Sequence, residues 1–130
     1  MKILMKKNKK QKTLKSLLSM KNKNALIIGG AGYLGEAMSE TVLELGSNLI
    51  IASRDIKKSE KIIKKLKKTV SKKVIFYPVD ITNKDSVLNL KKFVNKRFKK
   101  NLDVLINCGW SGKKNTFESI SDQDWQYDID

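Results

Sequence analysis

Histidine is absent from this 130-residue chain, and cysteine occurs once, as Cys108. The first absence removes the commonest catalytic base and metal ligand; the second excludes an internal disulfide and a cysteine-based zinc site. Arginine is nearly missing too. Of 28 basic residues only Arg54 and Arg97 are arginines, and against 13 acidic residues they leave a formal charge of +15. Such a surplus raises the question of nucleic acid or an anionic membrane as partner. Nucleic-acid interfaces favour arginine's bidentate fork and stacked aromatics, whereas the basic runs over residues 1–22 and 57–73 hold no aromatic and only Phe93 and Phe98 interleave with basic residues, over 91–100. A chain rich in lysine, asparagine and isoleucine is what an AT-biased coding sequence produces, so we expect neither a nucleic-acid nor a membrane partner. No apolar run approaches the roughly 20 residues of a membrane span, and the first twenty residues lack the apolar core of a secretory signal. The expected location is the reducing cytoplasm.

The length suits one domain, and 40% hydrophobic residues can supply a core. Residues 1–22 carry eight lysines from Lys2 to Lys21 with no acid and no sustained apolar stripe. They read as a disordered basic arm, with the domain proper over 23–130.

The most informative stretch is Asn24-Ala25-Leu26-Ile27-Ile28 followed by Gly29, Gly30, Gly32 and Gly35. A near-continuous aliphatic run is how a buried parallel strand appears, and glycines then allow φ angles and backbone clearance that no other residue permits. Gly30-x-Gly32-x-x-Gly35 has the dinucleotide spacing, one glycine each for the tight turn, approach to a pyrophosphate and close helix packing. A helix opening near Tyr33 would aim free N–H groups at that phosphate. Leu34, Met38, Thr41 or Val42, and Leu45 recur at helical spacing, Gly46 closes the helix, and Asn48–Ala52 is again an apolar strand. This is a βαβ unit of about thirty residues.

Alternation continues. Ile56, Ile63, Leu66 and Val70 form a helical stripe among lysines, and Val74–Tyr77 reads as a third strand. Thr82 with Asp85 resembles a capping box opening a helix lined by Val87, Leu90, Val94 and Phe98. Leu102–Ile106 is a fourth strand, and Ser121 with Asp124 looks like a further helix cap before Trp125. Strand and helix in this rhythm give an α/β fold, a Rossmann-like doubly wound parallel sheet of order 3-2-1-4. A ligand would cross the carboxyl ends of strands one and four.

These residues resemble the short-chain dehydrogenase/reductase family from about Met20 onward. Lys21–Gly35 resembles its opening strand and glycine motif. Asp80-Ile81-Thr82 resembles its acidic motif, which implies adenine contact through the Asp80 carboxylate and the next N–H. Leu102–Gly109 is similar to its fourth-strand motif ending Asn-Asn-Ala-Gly, and Ser121–Trp125 to the start of the following long helix. The chain departs from the pattern at Ile28, where Thr or Ser is usual, and at Cys108 and Gly109, which leaves Asn107 as the one side chain carried over from the fourth motif. Cys108 reads as a small packing residue.

The resemblance implies cofactor contacts from Gly29, Gly30, Gly32, Tyr33, Leu34, Gly35, Ser53, Arg54, Asp80, Ile81, Asn107, Cys108 and Gly109. After the second strand, a carboxylate would suit the ribose hydroxyl of NAD, and an arginine the 2′-phosphate of NADP. Ser53-Arg54 resembles the arrangement of NADP users, so NADP is preferred over NAD, while Asp55 also suits a helix N-cap. The family's tyrosine, with a lysine four residues on, is not found: Tyr33 precedes Ala37 at that spacing and Tyr77 precedes Ile81. The expectation is the NAD(P)-binding portion of an oxidoreductase acting on a carbonyl or alcohol, inactive alone. A non-catalytic dinucleotide-binding module is the alternative, and a basic nucleic-acid or membrane-surface binder a third. A homo-oligomer is compatible with either of the first two. Strand four, apolar on both faces and lacking a further neighbour, would leave the chain marginally stable or in need of a partner.

Overall fold

A computed structural model describes residues 13–71, 73–110 and 118–129, so residues 1–12 of the expected arm lie outside the described residues. Four aliphatic runs form the sheet: β1 (Asn24–Ile28), β2 (Asn48–Ser53), β3 (Val74–Pro78) and β4 (Val104–Asn107). All neighbours are parallel and the order is β3-β2-β1-β4, as the alternation implied. Between them run α2 (Tyr33–Glu44), α3 (Ile56–Thr69) and α4 (Lys84–Arg97), with α1 (Leu14–Leu18) before the sheet and α5 (Asp122–Ile129) after it.

Side chains alternate across each strand, so the sheet has two cores. Ala25, Ile27, Leu49, Ile51 and Val74 pack with Val42 and Leu43 of α2 and Ile62, Ile63 and Leu66 of α3. Leu26, Ile50 and Ala52 pack on the opposite face with Leu90 and Val94 of α4 and with Phe98. Tyr77 stacks on Phe93 at 4.4 Å between ring centroids.

Several local expectations are corrected. The buried side of α2 is Gly35, Ser39, Val42 and Leu43, whereas Leu34 and Met38 are exposed. Small residues turn inward because the helix rides close on the sheet, and Ser39 satisfies its hydroxyl by donating to the Gly35 carbonyl. The helix does end as expected, with Gly46 at φ +97° beyond the Leu45 C-cap. Thr82 does not cap α4: Asn83 does, its Oδ1 accepting from the Ser86 N–H, while Thr82 turns to Asp80. Val87 is exposed rather than in the α4 stripe. Strand β4 begins at Val104 instead of Leu102, and its two faces differ: Val104 and Ile106 join the α2–α3 core, but Leu105 on the other face is 58% exposed. Ser121 caps α5 as expected, accepting from the Asp124 N–H. The arm also has structure before residue 23. Thr13 caps α1, Met20 packs against the α2–α3 core, and its N–H donates to the Leu45 carbonyl.

The start of β4 is tied to β1 by Asp103, whose carboxylate accepts from Lys23 Nζ at 2.8 Å and from the Asn24 N–H at 2.9 Å. The Lys23 ammonium first, and the Asn24 amide second, hold the Asp103 carboxyl below its usual value of 3.8. Because the folded value is the lower one, the stabilisation is full above the unfolded value and is lost as pH falls through the folded one. Asp103→Asn should therefore lower the urea midpoint at neutral pH and flatten its decline below about pH 4; an unchanged acid limb would contradict this. Leu66→Ala, at a fully buried site, should cost about 3 kcal/mol in the same assay. Leu105→Ala should cost under about 1 kcal/mol, and equal losses would mean that the outer face of β4 is covered.

Candidate functional site at the carboxyl edge of the sheet

Where β1 ends, the chain turns on Gly29, the one residue of the glycine run with positive φ, +73°. Its N–H donates to the Ala52 carbonyl of β2 at 2.7 Å, and its carbonyl accepts from the Gly32 N–H at 2.8 Å. A Cβ on Gly29 would lie 2.6 Å from the carbonyl oxygen of Cys108, so the turn rests directly on the end of β4. The Cys108 N–H closes the contact by donating to the Ile28 carbonyl at 2.8 Å.

The other glycines divide their work differently from the spacing argument. Gly30 is buried under the Ile51 side chain, and Gly35 packs on the Gly29 carbonyl and Gly30 Cα. Both permit close packing. The tight turn belongs to Gly29, not Gly30. Gly32 is the N-cap of α2 and brings no side chain, so the first N–H groups of that helix stay open toward the edge. Glu36 in the first turn would oppose an anion there, but Lys65 holds its carboxylate at 2.8 Å.

A cavity of about 340 Å³ lies over this turn. Of the candidate residues it gathers Gly29, Gly32, Ser53, Arg54, Ile81, Cys108 and Gly109. Gly30 and Gly35 sit behind its wall, and Tyr33 and Leu34 project outward, exposed. Asn107 acts from beside it: its Oδ1 accepts from the Gly109 N–H at 3.0 Å and fixes the turn after β4. Asp80 faces an adjoining groove shared with Arg54. The Thr82 hydroxyl and amide both donate to its carboxylate, hold the carboxyl below its usual range and leave it ionised.

The lining also includes Ile28 and Asp55, and four residues that the sequence did not single out: Ala31, Lys58, Val79 and Trp110. Lys58 was hidden in a run that reads as a solvated lysine face, yet it stands three residues after Asp55, whose carboxylate caps α3 by accepting from the Lys58 N–H at 2.9 Å. The first turn of α3 therefore tilts that lysine to the cavity. Arg54 and Lys58 place two cations at one end, with apolar Val79 and Ile81 beside them and open helix N–H groups at the other. This arrangement suits an elongated ligand with an apolar ring and more than one phosphate. No helix among the described residues is long and apolar enough to cross a membrane.

The family model for short chain dehydrogenase matches residues 23–130. An uncharacterized oxidoreductase of Listeria innocua, Lin0452, is 27% identical over 113 residues, covering 87% of this chain and 45% of that protein. The 3-hydroxyacyl-CoA dehydrogenase type-2 of Drosophila melanogaster is 33% identical over 89 residues, 68% of this chain and 33% of that one. The crystal structure of gox2181 superposes with a TM-score of 0.73 at 26% identity, over 86% of this chain and 43% of its own. The chain thus spans less than half the length of the proteins it matches.

The backbone contact at Gly29 gives a direct test. Gly29→Ala places a Cβ against Cys108 and imposes a left-handed conformation on a residue with a side chain, so it should lower stability by at least about 2 kcal/mol. Gly32→Ala meets only the Gly29 carbonyl, at 3.1 Å, and should cost under about 1 kcal/mol. Thermal melts of both variants check the order, and a reversed order would refute the assignment of the turn to Gly29.

Proposed function

Because this chain belongs to the short-chain dehydrogenase family, we propose that it is the dinucleotide-binding portion of an oxidoreductase and that it takes NADP in preference to NAD. When bound, the nicotinamide ring carries the hydride exchanged with a carbonyl or alcohol. The chain's own residues bind and orient. Backbone N–H groups from Gly32 onward receive the pyrophosphate, Ile81 and Val79 offer an apolar wall to the adenine, and the Gly109 turn set by Asn107 bounds the far side. Candidate contacts at Tyr33, Leu34 and Asp80 belong to the same reading.

The single observation that carries the NADP preference is the pair Arg54 and Lys58 on the rim of one cavity. A doubly charged phosphate there gains charge-assisted hydrogen bonds that a ribose hydroxyl does not. The carboxylate that would favour NAD, Asp55, lines the same cavity but commits one oxygen to capping α3, where it accepts from the Lys58 N–H. A cytoplasmic location fits a chain with one thiol and no internal disulfide.

A second reading rests on the absence of a Tyr-x-x-x-Lys pattern within these 130 residues. On that reading the chain is a dinucleotide-binding module without turnover of its own. A carbonyl-reduction assay on the chain separates the two.

Fluorescence titrations test the cofactor. NADPH should bind more tightly than NADH, and Arg54→Gln should weaken NADPH about 10- to 100-fold while leaving NADH within about twofold. Equal loss for both cofactors would remove the role given to Arg54, and tighter NADH binding would overturn the preference.

A further inference from the structure

The opposite edge of the sheet carries a second constellation. Parallel register aligns Asn24 with Asn48, and Leu49 with Val74, so Asn24, Asn48 and Lys73 occupy one row across the amino ends of β1, β2 and β3. Strand alternation puts that row on the α4 side, next to Leu26, Ile50 and Ile75. The last turn of α4 comes over it, and a cavity of about 300 Å³ is enclosed by this row together with Arg97, Phe98, Leu49 and Ile75.

We propose that this cavity is a second ligand site, separate from the dinucleotide edge, which takes the oxyanion of a phosphate or phosphate monoester between Lys73 and Arg97. Three observations support it. Neither cation pairs with a carboxylate among the described residues, unlike Lys23, which pairs with Asp103, and Lys65, which pairs with Glu36. The carboxylate on the same edge, Asp103, is already engaged by Lys23 and the Asn24 N–H. Asn48 uses one amide hydrogen on Asn24 Oδ1, and its other hydrogen remains to donate to a bound oxygen.

The closing end of α4 would by itself repel an anion, since a helix C-terminus carries partial negative charge. That charge is partly met here. The Lys100 and Asn101 N–H groups occupy the carbonyls of Asn95 and Phe98, and Arg97 brings a full positive charge to the same turn. Ile75 and Phe98 make an apolar floor beside the polar row, which suits a phosphate carried on a small organic group. The volume lies at the lower end of ordinary small-molecule sites, about 300–1,000 Å³.

The test is a titration of the full chain with inorganic phosphate and, separately, with ribose 5-phosphate at constant ionic strength, read by amide chemical shifts. We expect saturable shifts at Asn48, Lys73 and Phe98 with at least one probe, and a dissociation constant raised about tenfold or more in Lys73→Gln/Arg97→Gln. A matched control, Lys68→Gln/Lys91→Gln, removes the same charge elsewhere and should keep the affinity. Tighter binding of ribose 5-phosphate identifies an organic phosphate as occupant, and tighter binding of the inorganic ion a free phosphate; either supports the site. Shifts that fail to saturate, that persist in the double variant, that fall equally in the control, or that appear only at the Gly32 and Arg54 edge would overturn it.

Discussion

Strand β1 can end beside both of its neighbours only because Gly29 has no side chain. Its N–H is bonded to β2, its carbonyl turns the chain into α2, and its Cα faces the Cys108 carbonyl at the end of β4. Gly35 then packs on the Gly29 carbonyl, which lets α2 lie close over the sheet. A Cβ at Gly29 would meet the Cys108 and Gly109 backbone and push the end of β1 away from the end of β4. The floor of the cavity, the direction of α2 and the position of the turn after β4 all follow from that one contact.

Strands, their order and the glycine turn were legible in the sequence because each leaves a one-dimensional signal. An aliphatic run of five residues bounded by glycine reads as a buried strand, and right-handed crossovers then allow few arrangements. The buried face of α2 was not legible. Hydrophobicity points to Leu34 and Met38, yet the close approach at Gly35 turns Gly35 and Ser39 inward and leaves the larger side chains outside. Caps were ambiguous for a similar reason: Thr82 and Asn83 are both good N-cap residues, and the Asp80 carboxylate decides by engaging Thr82. Lys58 was lost among identical neighbours, since a lysine's role depends on which way the first turn of α3 faces, and that is fixed by the Asp55 cap.

Charge and edge share a logic. Most lysines stand on solvent faces, where they oppose association, but those near the sheet's ends are drawn into specific surroundings: Lys23 to Asp103, Lys65 to Glu36, Lys58 to the carboxyl-edge cavity and Lys73 to the amino-edge one. Strand β4 is the contrast. It pairs with β1 on one side, and Leu105 stands open on the α4 side of the sheet, where the packed cluster draws on β1, β2 and β3 but not β4. The chain spans less than half the length of its relatives.

The central claim is that the Gly29 turn, the Ser53–Arg54 end of β2 and the Asn107–Gly109 turn form one dinucleotide site. Mapping amide chemical shifts of the whole chain during titration with NADP tests it most directly. The account predicts saturable shifts concentrated at Gly29, Gly32, Arg54 and Gly109, with Asn24 and Asn48 at the far edge nearly unmoved. Absence of saturable shifts, or shifts centred on the far edge, would contradict it.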